Sequence, residues 1–299
     1  MSWMEKIDQS AFAEGFPMWV SRLVITALNP ELAQIAGRVS TGYGTSIIMA
    51  PGEASIEREV DAADTPDGRS GVVVQFWHRG RKQLNNILLG RVSQAILTAP
   101  TTAVFDYLLE ETEHTLSIGK NLRYFGDGYE KKDTLAGREI YRIPVMDGEF
   151  VIESVFKAKK GVAGGNLLII GKSLSGALEA AQRAVEATRQ VEGVILPFPG
   201  GICRSGSKVG SKYKFLGAST NHPYCPTIRE MISDSVLPEN AEAVYELVIN
   251  GLSEDAVKQA MRVAMERAAM HQDVIFITAA NYGGTLGPFK MELSELLKI

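Results

Sequence analysis

The chain has 299 residues, of which 45% are hydrophobic and 22% charged, and a formal charge of −4. That length suggests two domains of about 150 residues, and the composition is that of a soluble globular protein. The mild negative charge excludes the global basic field of a nucleic-acid binder. Two cysteines, Cys203 and Cys225, supply neither a disulfide framework nor a four-ligand zinc pattern and fit a reducing cytosol.

The opening MSWMEKIDQSAFAEGF has no apolar core behind a basic start, so no signal peptide is expected. Runs such as LLII (167–170) are too short to span a bilayer. A cytoplasmic protein with no membrane or nucleic-acid partner is the expectation. In chain order, VSRLVITAL (20–28) has the β-branched content of a buried strand. Asn29 then Pro30 predicts an N-cap and first helical turn, with Leu32, Ile35, Ala36 and Val39 at helical spacing. TSIIMA (45–50), VVVQFW (72–77) and KNLRYF (120–125) predict further strands, and Leu84, Ile87, Leu88, Val92 and Ala95 a second helix. A hairpin over 138–156 turns at Asp147-Gly148.

The second half repeats the plan. NLLIIG (166–171), GVILPF (193–198), AVYELVIN (243–250) and VIFITA (274–279) read as strands. Ser175 is the expected cap of a helix burying Leu178, Ala181, Val185 and Thr188. Ser253 caps another, with a Leu252–Val257 staple. The expected fold is therefore α+β: two duplicated ferredoxin-like βαβ–βαβ lobes, residues 1–148 and 149–299, with an insertion at about 198–241 in the second.

Within that insertion, PFPGGICRSGSKVGSKYKFLGASTN (197–221) mixes five glycines and five hydroxyl residues with Arg204, Lys208, Lys212 and Lys214, and holds no acid. Phe198, Ile202, Val209, Tyr213, Phe215 and Leu216 set it apart from a flexible linker, so an ordered loop that receives an anionic ligand is expected. A long surface excursion with solvated lysines is the plainer alternative. Ser205, Ser207, Lys208, Lys212, Ser219, Thr220 and Asn221 are its candidate substrate contacts. Glu246 sits among Val244, Leu247, Val248 and Ile249, where a carboxylate is costly unless partnered or neutral. It is the candidate proton shuttle, against the reading that it faces solvent on an alternating strand. The matching strand of the first half carries Gln75, which cannot titrate. Asn281 and Tyr282 follow the last strand, where a turn can present backbone donors to an oxyanion or be only a turn. Phe125, Asp127 and Tyr129 can contact a flat ring or make up an Asp-Gly turn. The cysteines read as small buried hydrophobes rather than nucleophiles, and four scattered histidines form no metal site. His78 and His222 could touch substrate, whereas His114 and His271 read as surface residues.

Long stretches in one order resemble the formylmethanofuran:tetrahydromethanopterin formyltransferase family: FAEGFPMWVSRLVITA (12–27), TGYGTSIIMAPGEASIE (41–57), FGDGYE (125–130), GVAGGN (161–166), the 197–221 loop, YELVINGL (245–252) and NYGGTLGPF (281–289). The resemblance covers essentially the whole chain. It implies two α/β lobes, a homo-tetramer, and metal-free formyl transfer between the amine of a methanofuran-type carrier and N5 of tetrahydromethanopterin. It also implies anionic tails on both carriers, a functional glutamate at Glu246, and no metal or prosthetic group. The modest charge departs from salt-loving archaeal members and leans toward a bacterial methylofuran-using subunit of a formyltransferase/hydrolase complex. A non-catalytic cofactor-binding or assembly subunit stays open, as does a phosphate sensor on tandem lobes, though no GxxxxGK[ST] motif favours the latter.

Overall fold

The computed structural model describes residues 2–298. They divide into two compact units: Met18–Gly161, and a second that joins the residues up to Pro17 to those from Val162 onward. The chain therefore passes between units inside two long strands, β1 (Phe12–Thr26) and β10 (Lys159–Gly171), rather than at the expected 148/149 boundary.

In the Met18–Gly161 unit, α1 (Pro30–Thr41) starts where Asn29 accepts a hydrogen bond from the Leu32 N–H at 2.9 Å. Strands β2 (Glu53–Val60), β3 (Gly71–His78) and β4 (Ala103–Asp106) and helix α2 (Arg81–Arg91) follow. The strand order is β2-β3-β1-β4, every neighbour antiparallel. Leu84 and Leu88 of α2, with Ala36 of α1, pack on Leu23, Ile25, Val72, Val74 and Phe76. A two-residue ribbon of β5 (Thr115–Leu116) and β9 (Phe156–Lys157) flanks α3 (Ile118–Leu122). The sheet is extended by β6 (Lys131–Leu135), β7 (Arg138–Val145) and β8 (Gly148–Glu153), with β8 parallel to β4, which makes the sheet of this α+β fold a mixed one.

Two predicted strands here are not strands. TSIIMA (45–50) is a run of turns with Ile48 and Met49 exposed, because its apolar residues have no strand partner and Pro51 ends it; the ladder partner of β3 is β2 instead. KNLRYF (120–125) lies in α3 and the turn after it. Ile118 and Leu122, four apart, are buried at helical rather than strand spacing, and β4 takes the fourth strand position.

In the second unit, β10 pairs with β14 (Ala243–Gly251) on one side and β15 (Val274–Thr278) on the other, and β11 (Val194–Ile195) lines the far edge of β14. The order β11-β14-β10-β15 repeats, by position in the chain, that of the first unit. GVILPF (193–198) thus contributes two strand residues rather than six. Helices α4 (Leu174–Thr188) and α5 (Glu254–Ala269) cover one face, their Ala177, Ala180, Ala184, Ala260, Ala264 and Ala268 allowing close approach. Ser253 caps α5 as expected, but the α4 cap is Ser173, whose Oγ accepts from Gly176 N–H at 3.0 Å; Ser175 lies inside the helix. The edge strand β16 (Phe289–Glu292) pairs with the start of β1, and α6 (Leu293–Leu296) ends the described chain. Among the described residues no helix is long and apolar enough to cross a membrane.

Candidate active site

Alternation along β14 decides what its one carboxylate can do. Leu247 and Ile249 point into the core with α4 and α5, so Glu246 and Val244 face the other side of the sheet. That side is not open. Val244 packs with Ile170, Phe276, Tyr224, Leu237 and Ala241, so the end of the insertion folds back onto this face. The root of the insertion lies closer still. Cys203 and Glu246 exchange both backbone hydrogen bonds, at 2.8 and 2.9 Å, in an isolated antiparallel bridge just past the end of β11. Directly opposed residues of such a pair project on the same face.

This environment sets the protonation states. Burial pushes the Glu246 carboxyl up to about 7, partly opposed by a hydrogen bond from the Cys203 thiol. Burial likewise raises the Cys203 thiol, with the neighbouring Glu246 charge acting the same way, so at neutral pH it remains a thiol, a donor and not a thiolate nucleophile. Tyr282 is raised by burial too, and by the charges of Glu246 and Glu14; its phenol donates to the Ser207 carbonyl at 3.2 Å.

The structure brings some of the expected loop residues to this place. Ser205 Oγ is 3.4 Å from Cys203 Sγ, and Thr220 Oγ1 lies 3.5 Å from the Ser205 carbonyl. Gly206 has a left-handed backbone (φ 57°), and a Cβ there would meet that of Asn221, so the two arms of the loop run side by side. Strands β12 (Lys208–Val209) and β13 (Ala218–Ser219) form a short ribbon with Lys208 opposite Ser219. Lys212 lies beyond it, in an exposed stretch with Tyr213, Lys214, Phe215 and Leu216. The expectation that the loop's apolar residues pack inward fails for Val209, Tyr213, Phe215 and Leu216, all exposed, because the ribbon is only two residues long and covers nothing.

The turn after β15 is held differently from the sequence expectation. Tyr282 N–H donates to Glu14 Oε2, and Gly283 N–H to Asn281 Oδ1 at 3.1 Å, so neither amide is left for an oxyanion. Phe125, Asp127 and Tyr129 belong to the other unit, where Asp127 takes a left-handed conformation (φ 52°) after the turn and both aromatic rings are exposed. Among the histidines, His78 Nδ1 accepts from Gly80 N–H, His222 pairs with Asp234 at 2.7 Å, and His114 meets the Trp19 ring edge-on. His271 is buried rather than at the surface, 3.4 Å from Glu179. Among the described residues no group of three His, Cys, Asp or Glu is placed to hold a metal ion.

One buried carboxylate escaped the sequence reading. Glu14, buried in β1, is the acid in FAEGF, and the signal that drew attention to Glu246, a carboxylate inside an apolar strand, was equally available there.

Residues 4–145 match the family profile described as "Formylmethanofuran-tetrahydromethanopterin formyltransferase", and residues 148–296 the profile "FTR, proximal lobe". The chain belongs to this formyltransferase family. It is 48% identical over 293 residues to the formylmethanofuran–tetrahydromethanopterin formyltransferase of Methanocaldococcus jannaschii, covering 97% of each chain. A solved formyltransferase from Methanosarcina barkeri superimposes with a TM-score of 0.94 at 45% identity, over 97% of this chain and 98% of that one. A chain of the formyltransferase/hydrolase complex (FhcABCD) from Methylorubrum extorquens, solved with methylofuran, gives 0.92 at 41% identity over 96% of both. Identity to the Methanosarcina and Methylorubrum chains is similar, and the likeness to a chain of a formyltransferase/hydrolase complex supports the lean toward a complex subunit. The two profiles divide at 145/148, near the boundary read from the sequence, whereas the compact units divide within β1 and β10.

Proposed function

We propose that this chain is an acyltransferase that moves a formyl group between the amine of a methanofuran-type carrier and N5 of tetrahydromethanopterin, with Glu246 relaying the proton. The observation that carries this is the Cys203–Glu246 bridge, which sets a carboxyl titrating near 7 at the root of the cationic insertion. In either direction the free nitrogen attacks the formyl carbon, giving a tetrahedral oxyanion. Glu246 takes the proton from the incoming nitrogen and returns it to the departing one as the old C–N bond breaks. One C–N bond forms, one breaks, a proton changes nitrogen, and nothing is oxidised. A pKa near ambient pH lets one carboxyl do both tasks.

Ser205, Ser207, Thr220 and Asn221 contribute hydroxyl, carbonyl and amide groups around the carriers, while Lys208, Ser219 and Lys212 meet their anionic tails. Asn281 and Tyr282 close the site from the far loop. Phe125, Asp127 and Tyr129 are proposed carrier contacts of the other unit. The two units are duplicated ferredoxin-like lobes, a reading supported by the repeated strand order. Both carriers are substrates rather than resident groups, and the site is cytoplasmic, in a homo-tetramer.

A second reading is favoured by the likeness to a chain of a formyltransferase/hydrolase complex: a subunit that holds methylofuran for partner subunits. The purified chain, given formylated tetrahydromethanopterin and unformylated furan carrier, separates the two. Formyl exchange by the isolated protein supports catalysis; binding of both carriers without exchange supports the holding role.

The thiol beside Glu246 yields a further expectation. A hydrogen bond to the ionised carboxylate lowers its pKa, so Cys203→Ala should move the acid limb of kcat/KM to higher pH, by about half a unit to one unit. Cys203→Ser, which keeps a donor, should move it less. Identical pH profiles for wild type and Cys203→Ala would show that the thiol does not tune Glu246.

A further inference from the structure

Glu14 is 2% exposed, yet it contributes nothing to the chemistry described so far. Its two carboxylate oxygens accept from backbone amides four residues apart, Tyr282 N–H on Oε2 and Leu286 N–H on Oε1 at 3.4 Å. A carboxylate clamped on two amides of one loop fixes that loop's height above the strand that carries it. The neighbouring backbone confirms how low the loop lies: Gly287 passes so close to the Gly15 carbonyl that a Cβ there would overlap it. At the other end Asn166 of β10 holds Ala280 by both backbone groups, at 2.7 and 2.9 Å.

The loop so pinned carries one side chain toward the reacting centre. Tyr282 reaches the insertion, where its hydroxyl donates to Ser207 O, and it lies near enough to Glu246 for that carboxylate's charge to raise the phenol. Its backbone is set by Glu14 and its hydroxyl by Ser207. We infer that Glu14 is a positioning residue, acting through Tyr282 to hold the 203–209 arm of the insertion against Glu246. This rests on the reading of Glu246 as the proton relay, and it assigns work to a residue outside the chemistry of the formyl transfer. Among the described residues the Glu14 carboxylate is hydrogen-bonded to Tyr282 and Leu286 and not to Ser207, and Tyr282 is the one of these that bonds the insertion.

Two measurements on the full chain test it, one of them independent of catalysis. Peptide-level hydrogen exchange on Glu14→Gln should show lost protection at 281–286 and also at 203–209, and Tyr282→Phe should reproduce the loss at 203–209. Loosening confined to 281–286 would overturn the inference whatever the activity. In formyl exchange, Glu14→Gln should lower kcat/KM about tenfold or more for both carriers, since small misplacements at a reacting centre cost that much. In the Tyr282→Phe background the same substitution should add less than about threefold, because residues acting in series are not additive. A full multiplicative effect in that background, or a loss that disappears once activity is scaled to the folded fraction, would also overturn it. Should the wild type exchange no formyl group while the exchange pattern appears as stated, it is the function of Glu246 that fails and not the role of Glu14.

Discussion

Glu246→Gln should lower formyl transfer by about 10²–10⁴-fold, the usual range for removing a general acid–base group, with the KM of each carrier nearly unchanged. The amide keeps the size of the side chain and can still accept from the Cys203 thiol, but it has no proton to pass. The wild-type kcat/KM should fall as pH drops below about 7, where the carboxyl gains its proton and the base is lost. Glu246→Asp, which titrates but is one methylene shorter, should retain part of the rate. Near-normal kinetics in Glu246→Gln would remove this residue from the mechanism.

The same substitution should raise stability in alkaline solution. Glu246 titrates near 7 in the folded chain, because of burial first, and near its ordinary value when unfolded. The folded state therefore binds the extra proton, and that contribution is complete below the unfolded pKa and lost as pH rises through about 7. Above that, the fold must carry a buried charge. Glu246→Gln removes it, for a gain of ~1–3 kcal/mol at pH 8 and little at pH 4. Asp106, also raised to about 7 by burial and by Glu153, follows the same sign and keeps some pH dependence in the variant. Thermal melts of both proteins across pH 4–8 check this; parallel curves would contradict it.

How much of this was legible beforehand varies with the physics involved. The helices and the long strands β3, β10 and β14 announce themselves, because periodicity and caps such as Asn29 and Ser253 are local signals. TSIIMA misled because a strand needs a partner, which composition cannot supply. KNLRYF misled because a single helical turn carries too little periodicity to outweigh its aromatic and apolar residues. At the site, Glu246 was legible as a charge inside an apolar run. Its place on the face away from the helices agrees with the duller reading, and only the folded-back insertion covers that face. The pairing of Cys203 with Glu246 spans 43 residues and the grip of Glu14 on Tyr282 spans 268, and no local pattern encodes either contact.

The contrast between Glu246 and its counterpart Gln75 leads to the largest stability effect expected. Gln75 is fully buried, and its neighbours form a continuous network: Trp77 Nε1 donates to Gln75 Oε1 at 2.9 Å, Gln75 Nε2 to Glu57 Oε2 at 2.7 Å, and Arg22 grips both Glu57 oxygens at 2.6 and 2.8 Å. Glu57 is the extra residue of a β-bulge between Ile56 and Arg58, which turns its side chain toward Arg22. The Arg22 guanidinium also lies 5.1 Å from the centre of the Tyr107 ring. Here the carboxylate is paired with a guanidinium and the amide is bonded at both its oxygen and its nitrogen, so the network locks β1, β2 and β3 together. Glu57→Ala removes that carboxylate from a buried guanidinium and should destabilise the chain by about 3–5 kcal/mol, read as a lower denaturation midpoint. Replacing Arg22 and Glu57 together by methionine should cost less than either single change, because no charge is then left buried. Formyl transfer per folded molecule should survive Glu57→Ala, since Glu246 is untouched. A kinetic loss as large as that of Glu246→Gln, in fully folded protein, would place proton transfer in the wrong unit.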